Sequence, residues 1–199
     1  MRYDVAAIPA AQAYHFLTMV VAPRPIALVS TLSGEGLPNL APFSFFMAGG
    51  GRPPSVAFSP TQDRTKGEKD TLVNVRATGE YVINLVSHPL RESMNQASVP
   101  LPHGESEWDL GAFTPAPSQH VRPARVAEAP AALECRLFQV VDHGAAHYVI
   151  GEVLAFWVRD DLLEGDRVVP EKLDLIARMG GDWYCQVRPE TMFELPRPY

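Results

Sequence analysis

The sequence predicts a mainly β chain, antiparallel and arranged as a barrel or sandwich, with a few peripheral α-helices. Three observations carry this. Short runs rich in β-branched and aromatic residues recur along the chain with turn signals between them. Proline is abundant, 19 of 199 residues, about twice the usual ~5%, which disfavours long helices and suits many corners. There is no internal repeat and no regular alternation of strand and helix, which argues against a doubly wound parallel sheet. A chain of this length builds one substantial core and is too short for two, so residues 1–199 read as a single domain.

The elements follow in order. A helix is expected over Ala10 to Val20, then a strand from Ile26 to Thr31. Ser33-Gly-Glu-Gly36 turns the chain, since glycine tolerates positive φ. A second strand, Leu40 to Phe46, returns through Asn39. Pro42 lacks an N–H and belongs at an edge or bulge, which leaves main-chain groups at 40–44 free for a ligand. Further strands are expected at Ser55 to Ser59, Tyr81 to Val86, Leu133 to Val141, His147 to Val158 and Trp183 to Val187. Between them, a helix capped by Asp70 or Thr71 runs through Leu72, Val73 and Val75 to a stop at Gly79, and a short one covers Leu90 to Ala97. The proline-rich segment from Val99 to Pro130 reads as a long loop, of the kind that serves as a lid or a partner-facing arm.

Composition narrows the function. Hydrophobic residues at 46% and charged residues at 20% are ordinary for a globular protein. A formal charge of −6, without clustered basic and aromatic residues, argues against nucleic acid. No apolar run approaches a membrane span and the N-terminus lacks a signal-peptide core, so a cytoplasmic protein is the expectation. Cys135 and Cys185, each in an apolar strand-like run, are expected as buried free thiols. No GxGxxG opens a helix after a strand: Gly49-Gly-Gly51 runs into Arg52-Pro-Pro54, so no Rossmann site holds a resident dinucleotide. His143 and His147 lack an acidic or thiol partner at ligand spacing, and no metal is expected. A nucleophile elbow, a Cys/His pair and a carboxylate dyad are also missing. Asn74 and Asn84, polar within apolar patterns, read as structural amides.

The most informative stretch is Asn39-Leu-Ala-Pro-Phe-Ser-Phe-Phe46. Free main chain at Ala41 and Pro42, the amide of Asn39, the hydroxyl of Ser44 and the rings of Phe43 and Phe45 form the mixture that an isoalloxazine needs: donors and acceptors along one edge, apolar surface against the rings.

The ordered series PRPIALVST, GEGLPNLAPFSFF, PPSVAFSP, KDTLVN, GEYVINLV and HYVIGEV, from about Pro23 to about Tyr184, resembles the flavin reductase-like proteins. The resemblance implies an antiparallel split β-barrel with bound FMN. It also implies NADH or NADPH as a transient co-substrate lying over the flavin, and a homodimer whose two subunits build each site. The flavin phosphate then needs a local gathering of donors, and the stretch from Ser59 to Thr71 supplies Ser59, Arg64, Lys66, Lys69 and Thr71 just before a helix start. By the same resemblance Thr31 lies near the ribityl chain or phosphate, and His147 sits over the isoalloxazine near the nicotinamide position as the catalytic candidate. Arg178, in the Arg-Met-Gly-Gly turn, reaches the flavin or the partner subunit, or simply belongs to a glycine turn. The activity implied is an NAD(P)H-dependent flavin reductase. A monooxygenase or redox protein is its partner, and the rivals are a flavoredoxin-like electron carrier and a non-catalytic FMN-binding protein.

Overall fold

The computed structural model describes residues 1–61, 67–99, 101 and 106–198. Its first helix, α1 (Ala10–Val20), spans the predicted residues. The chain then forms a two-residue strand β1 (Arg24–Pro25), β2 (Ala27–Leu32), β3 (Pro38–Phe43), β4 (Phe46–Gly51) and β5 (Pro54–Phe58). After α2 (Asp70–Thr78) come β6 (Glu80–Leu85), α3 (Arg91–Gln96) and α4 (Glu107–Leu110). A small ladder pairs β7 (Pro115–Ala116) with β8 (Arg125–Val126), and the long hairpin β9 (Ala131–His143) and β10 (Ala146–Val158) follows. The chain ends with the short pair β11 (Leu163–Glu164) and β12 (Arg167–Val168), then β13 (Ile176–Arg178) and β14 (Tyr184–Gln186). No described helix is long and apolar enough to cross a membrane.

Seven strands form one antiparallel sheet in the order β3-β2-β6-β9-β10-β5-β4, while β1, β13 and β14 form a second. The connectivity shows why this sheet curls. Strands β3 and β4 lie at its two edges, yet only Ser44 and Phe45 separate Phe43 from Phe46. Three residue steps reach ~11 Å, whereas seven flat strands would hold their edges ~29 Å apart. The sheet therefore bends until its edges meet at that corner, which gives the split barrel. The inward side chains fill it: Val29, Phe58, Leu72, Tyr81, Ile83 and Val149 are almost wholly buried in one cluster. Gly151 takes part by lacking a side chain, because an added Cβ would lie 1.8 Å from the Tyr81 hydroxyl.

Several expectations are corrected here. The predicted strand Leu40 to Phe46 is two strands, broken at Ser44, and the second of them, β4, runs on through the triple glycine. Neither Asp70 nor Thr71 caps α2: Lys69 holds the N-cap position with no side-chain cap, because the Thr71 hydroxyl is turned inward to Asn39. The helix does stop at Gly79, whose φ of 72° is left-handed. Within the predicted loop, residues 106–130 are not a free arm. Trp108, Phe113, Val126 and Ala129 are buried with Ile26, Leu28 and Leu40 in a second core cluster, so the segment covers the barrel's other apolar face. Both cysteines are free, but only Cys135 is buried; Cys185 is half-buried.

A candidate flavin cleft along the edge strand

Among the described residues, strand β3 has a strand partner only on its β2 side. Leu40 N–H points the other way, donating to Glu107 Oε2 at 3.2 Å. By strand alternation the main-chain groups of Leu40 and Pro42 both face outward. Proline therefore loses no ladder bond at this position, and its carbonyl remains as an acceptor on the exposed edge.

Two hollows run along this edge and share Pro42, Phe43 and Ser98. The first, about 500 Å³, lies between β3 and the start of α2, with Asn39, Ala41, Lys69, Thr71 and Glu107 in its lining. The second, about 270 Å³, continues past Ser44 to Arg24, Arg178 and Tyr184. Of the residues expected to hold a cofactor, Asn39, Ala41, Pro42, Lys69 and Thr71 line the first hollow, and Pro42 and Ser44 line the second. Phe45 lines neither hollow but packs against two residues of the second: its ring meets Tyr14 edge-on at 6.3 Å, and the Arg24 guanidinium lies 5.6 Å from its centre. Arg64 and Lys66 lie outside the described residues.

Beneath the first hollow sits a buried polar knot. The Asn39 amide donates to Thr31 Oγ1 at 3.2 Å and to Thr71 Oγ1 at 3.0 Å, and Asn74 donates to Thr31 Oγ1 at 3.0 Å. Thr31 is wholly buried, so its hydroxyl serves this knot, which fixes the N-terminus of α2 against β2 and β3. Asn84 is a structural amide too, bridging Leu28 O and Val126 N–H. Ser59 is buried as well, and its main-chain N–H donates to Phe45 O at 2.8 Å.

His147 lines neither hollow. It is buried at the start of β10, with Nδ1 2.6 Å from Asp142 Oδ1 and Nε2 without a partner among the described residues. Arg76 joins Asp142 at 2.7 Å to Glu68 at 2.7 Å, and Glu68 borders the first hollow. The hydrogen bond from His147, followed by the Arg76 charge, holds the Asp142 carboxyl below its ordinary range.

Sequence reasoning missed Glu107, Arg24 and Tyr14. Glu107 starts α4 and drops its carboxylate into the cleft, where burial, with the Asp70 charge adding, raises its pKa against the pull of two backbone hydrogen bonds. Its one local signal, a Ser-Glu-Trp helix start, says nothing about what it faces.

Residues 19–172 match the family profile described as flavin reductase like domain. The chain belongs to this family. A protein of Deinococcus radiodurans, described only as uncharacterized, is 43% identical over 98% of this chain and 88% of its own length. Nitrilotriacetate monooxygenase component B from Bacillus cereus superposes with a TM-score of 0.93 at 30% identity, covering 98% of both chains. The 2-nitrobenzoate 2-nitroreductase of Pseudomonas fluorescens superposes at 0.89, also 30% identical, covering 100% of this chain and 98% of its own.

Proposed function

We propose that this protein is an FMN-dependent oxidoreductase that takes reducing equivalents from NADH or NADPH and passes them on through the flavin. The observation that carries the reading is the first hollow, which sets an exposed sheet edge beside a helix N-terminus. Such a terminus has four N–H groups without intrahelical partners and the positive end of the dipole, and Lys69 adds a charge at its cap. A flavin mononucleotide fits this donor set, with its phosphate toward Lys69 and Thr71 and its ring system along Ala41 to Phe45. Bound flavin supplies the two-electron acceptor. The protein's contribution is position: the outward carbonyls of Leu40 and Pro42 and the Ser44 hydroxyl would hold the ring system, and the polar knot ties α2 to β2 and β3. Catalysis by alignment suits a site without an acid–base pair.

His147 enters as a positioning residue that acts through Asp142, Arg76 and Glu68. A homodimer is part of the proposal, as is a monooxygenase or other redox protein as electron acceptor; the likeness to the B. cereus component supports the latter. The P. fluorescens enzyme favours a second reading, in which a small organic molecule is reduced directly at the flavin.

Fluorescence titration with FMN and riboflavin, followed by anaerobic mixing with NADH or NADPH, tests the reading. FMN should bind more tightly than riboflavin, Lys69→Ala should weaken FMN by roughly 1.5–3 kcal/mol, and the bound flavin should bleach on mixing. Equal affinity for the two flavins overturns the phosphate assignment, and a flavin that neither coenzyme reduces overturns the reductase.

A further inference from the structure

Arg24 and Arg178 stand directly opposite one another on β1 and β13. Like charges across a ladder destabilise it, and among the described residues no carboxylate lines the hollow that both residues border. Asp182 lies 3.7 Å from Arg178 but is fully exposed, where a pair contributes little. Arg24 is 6% exposed. Its Nη1 donates to the carbonyls of Thr18 and Val21 at the end of α1, while its Nε is buried without a partner among the described residues. Burial lowers the Arg24 pKa, the Tyr14 phenol opposes this, and the Arg178 charge adds to it. Arg178 donates to the Tyr184 hydroxyl and the Gly181 carbonyl and lies 4.5 Å from the centre of the Tyr184 ring, so among the described residues the two guanidiniums share one exposed carboxylate, Asp182, and can take a further anion.

The rest of the lining says which kind. Tyr14, Phe43 and Tyr184 supply rings, Ile26 and Met94 supply apolar surface, and the hollow holds about 270 Å³. That lies below the range of ~300–1,000 Å³ typical of drug-sized ligands. One aromatic ring fits such a space, whereas a dinucleotide would extend beyond it. We infer that the hollow between Arg24 and Arg178 is a subsite for a small aromatic carboxylate, its ring between the tyrosine and phenylalanine walls and its carboxylate on the guanidinium side. Pro42, Phe43 and Ser44 belong to both hollows or join them, so the ligand would lie against the flavin wall. The inference rests on the proposed function only in placing a flavin beside that wall.

The test uses benzoate and its neutral isostere benzamide. FMN-loaded protein is titrated with each while the flavin absorbance is followed, and flavin-free protein is titrated by calorimetry. Benzoate should bind at least roughly tenfold more tightly than benzamide, the ratio a charge-assisted hydrogen bond gives. Arg178→Gln should abolish that preference without changing FMN affinity, and Arg178→Lys should retain part of it, which separates lost charge from lost fold. Equal affinity for benzoate and benzamide overturns the inference. So does a change of FMN affinity in Arg178→Gln before any benzoate is added, since the guanidinium then serves the flavin. Arg178-dependent binding of ADP-ribose with none of benzoate also overturns it, assigning the hollow to coenzyme phosphates. If neither NADH nor NADPH reduces the flavin while the benzoate preference holds, the reductase reading fails and the subsite stands.

Discussion

Glu107 places a carboxylate in the hollow that is proposed to receive a phosphate, and its raised pKa records how poorly that charge is tolerated there. Glu107→Gln keeps an oxygen for Leu40 N–H and removes the charge. It should tighten FMN binding by roughly 0.5–1 kcal/mol, the scale of a partly screened pair, and leave riboflavin unchanged. Fluorescence titration with both flavins decides it, and equal tightening of both would place the phosphate elsewhere. The sign also works for stability. A carboxyl whose folded pKa is raised favours the native state when protonated, so the wild type loses this contribution as pH rises from the ordinary carboxyl range through the raised value, and Glu107→Gln should flatten that loss. At this scale the sequence showed the residue types at the cleft but not their partners. Asn39, Thr31 and Thr71 looked like three ligand groups, whereas the fold ties them to one another. Hydrogen bonds between residues 32 positions apart leave no local pattern.

Among elements, the hairpin of β9 and β10 carries two constraints that adjacent residues do not advertise. Gly151 gives the Tyr81 hydroxyl the space a Cβ would fill, and Tyr81 itself is wholly buried. Gly151→Ala should destabilise by roughly 1–3 kcal/mol or more through overpacking, read as a lower midpoint in urea; an unchanged midpoint would show that Tyr81 moves aside freely. Glu134, on β9, is wholly buried. Its carboxylate accepts from Trp157 Nε1 at 2.6 Å, His120 N–H at 2.6 Å and Gln119 N–H at 2.9 Å. Burial pushes its pKa up, but these three donors more than offset that and hold it below the ordinary value. It thus fastens the segment after β7 to the main sheet. Glu134→Ala should cost roughly 1–3 kcal/mol by stranding those donors. The wild type should lose this contribution as pH falls below the ordinary carboxyl value, a loss absent from the variant's acid titration. The proline count of residues 99–130 pointed to a loop and hid this function. Proline reports what backbone a segment cannot form, not what its Trp108 and Phe113 will cover.

For the molecule as a whole, the strand order was legible only in part. Alternating runs and turn residues located most strands, and the resemblance supplied the barrel, but the corner at Ser44-Phe45 reads as one continuous strand because nothing local marks the change of sheet edge. The same closure leaves an outward face on β4, β5, β9 and β10 that nothing among the described residues covers. Met47 stands opposite Ala57, Ala57 opposite Ile150, and Tyr148 opposite Val141, so these side chains share that face. Phe138, the extra residue of the bulge beside Gln139 and Leu137, is 75% exposed and Met47 is 60% exposed. A contiguous apolar patch on a sheet marks an interaction surface, and a homodimer is the proposed occupant. Sedimentation equilibrium should give twice the chain mass for the wild type. Phe138→Glu with Tyr148→Glu should yield a monomer of unchanged far-ultraviolet circular dichroism, because both side chains point away from the core. If the flavin is held within one chain, that monomer should keep its FMN affinity; if two subunits build each site, affinity should fall together with the mass. A wild type that sediments as a monomer would remove the dimer from the proposal and leave this face to a different protein.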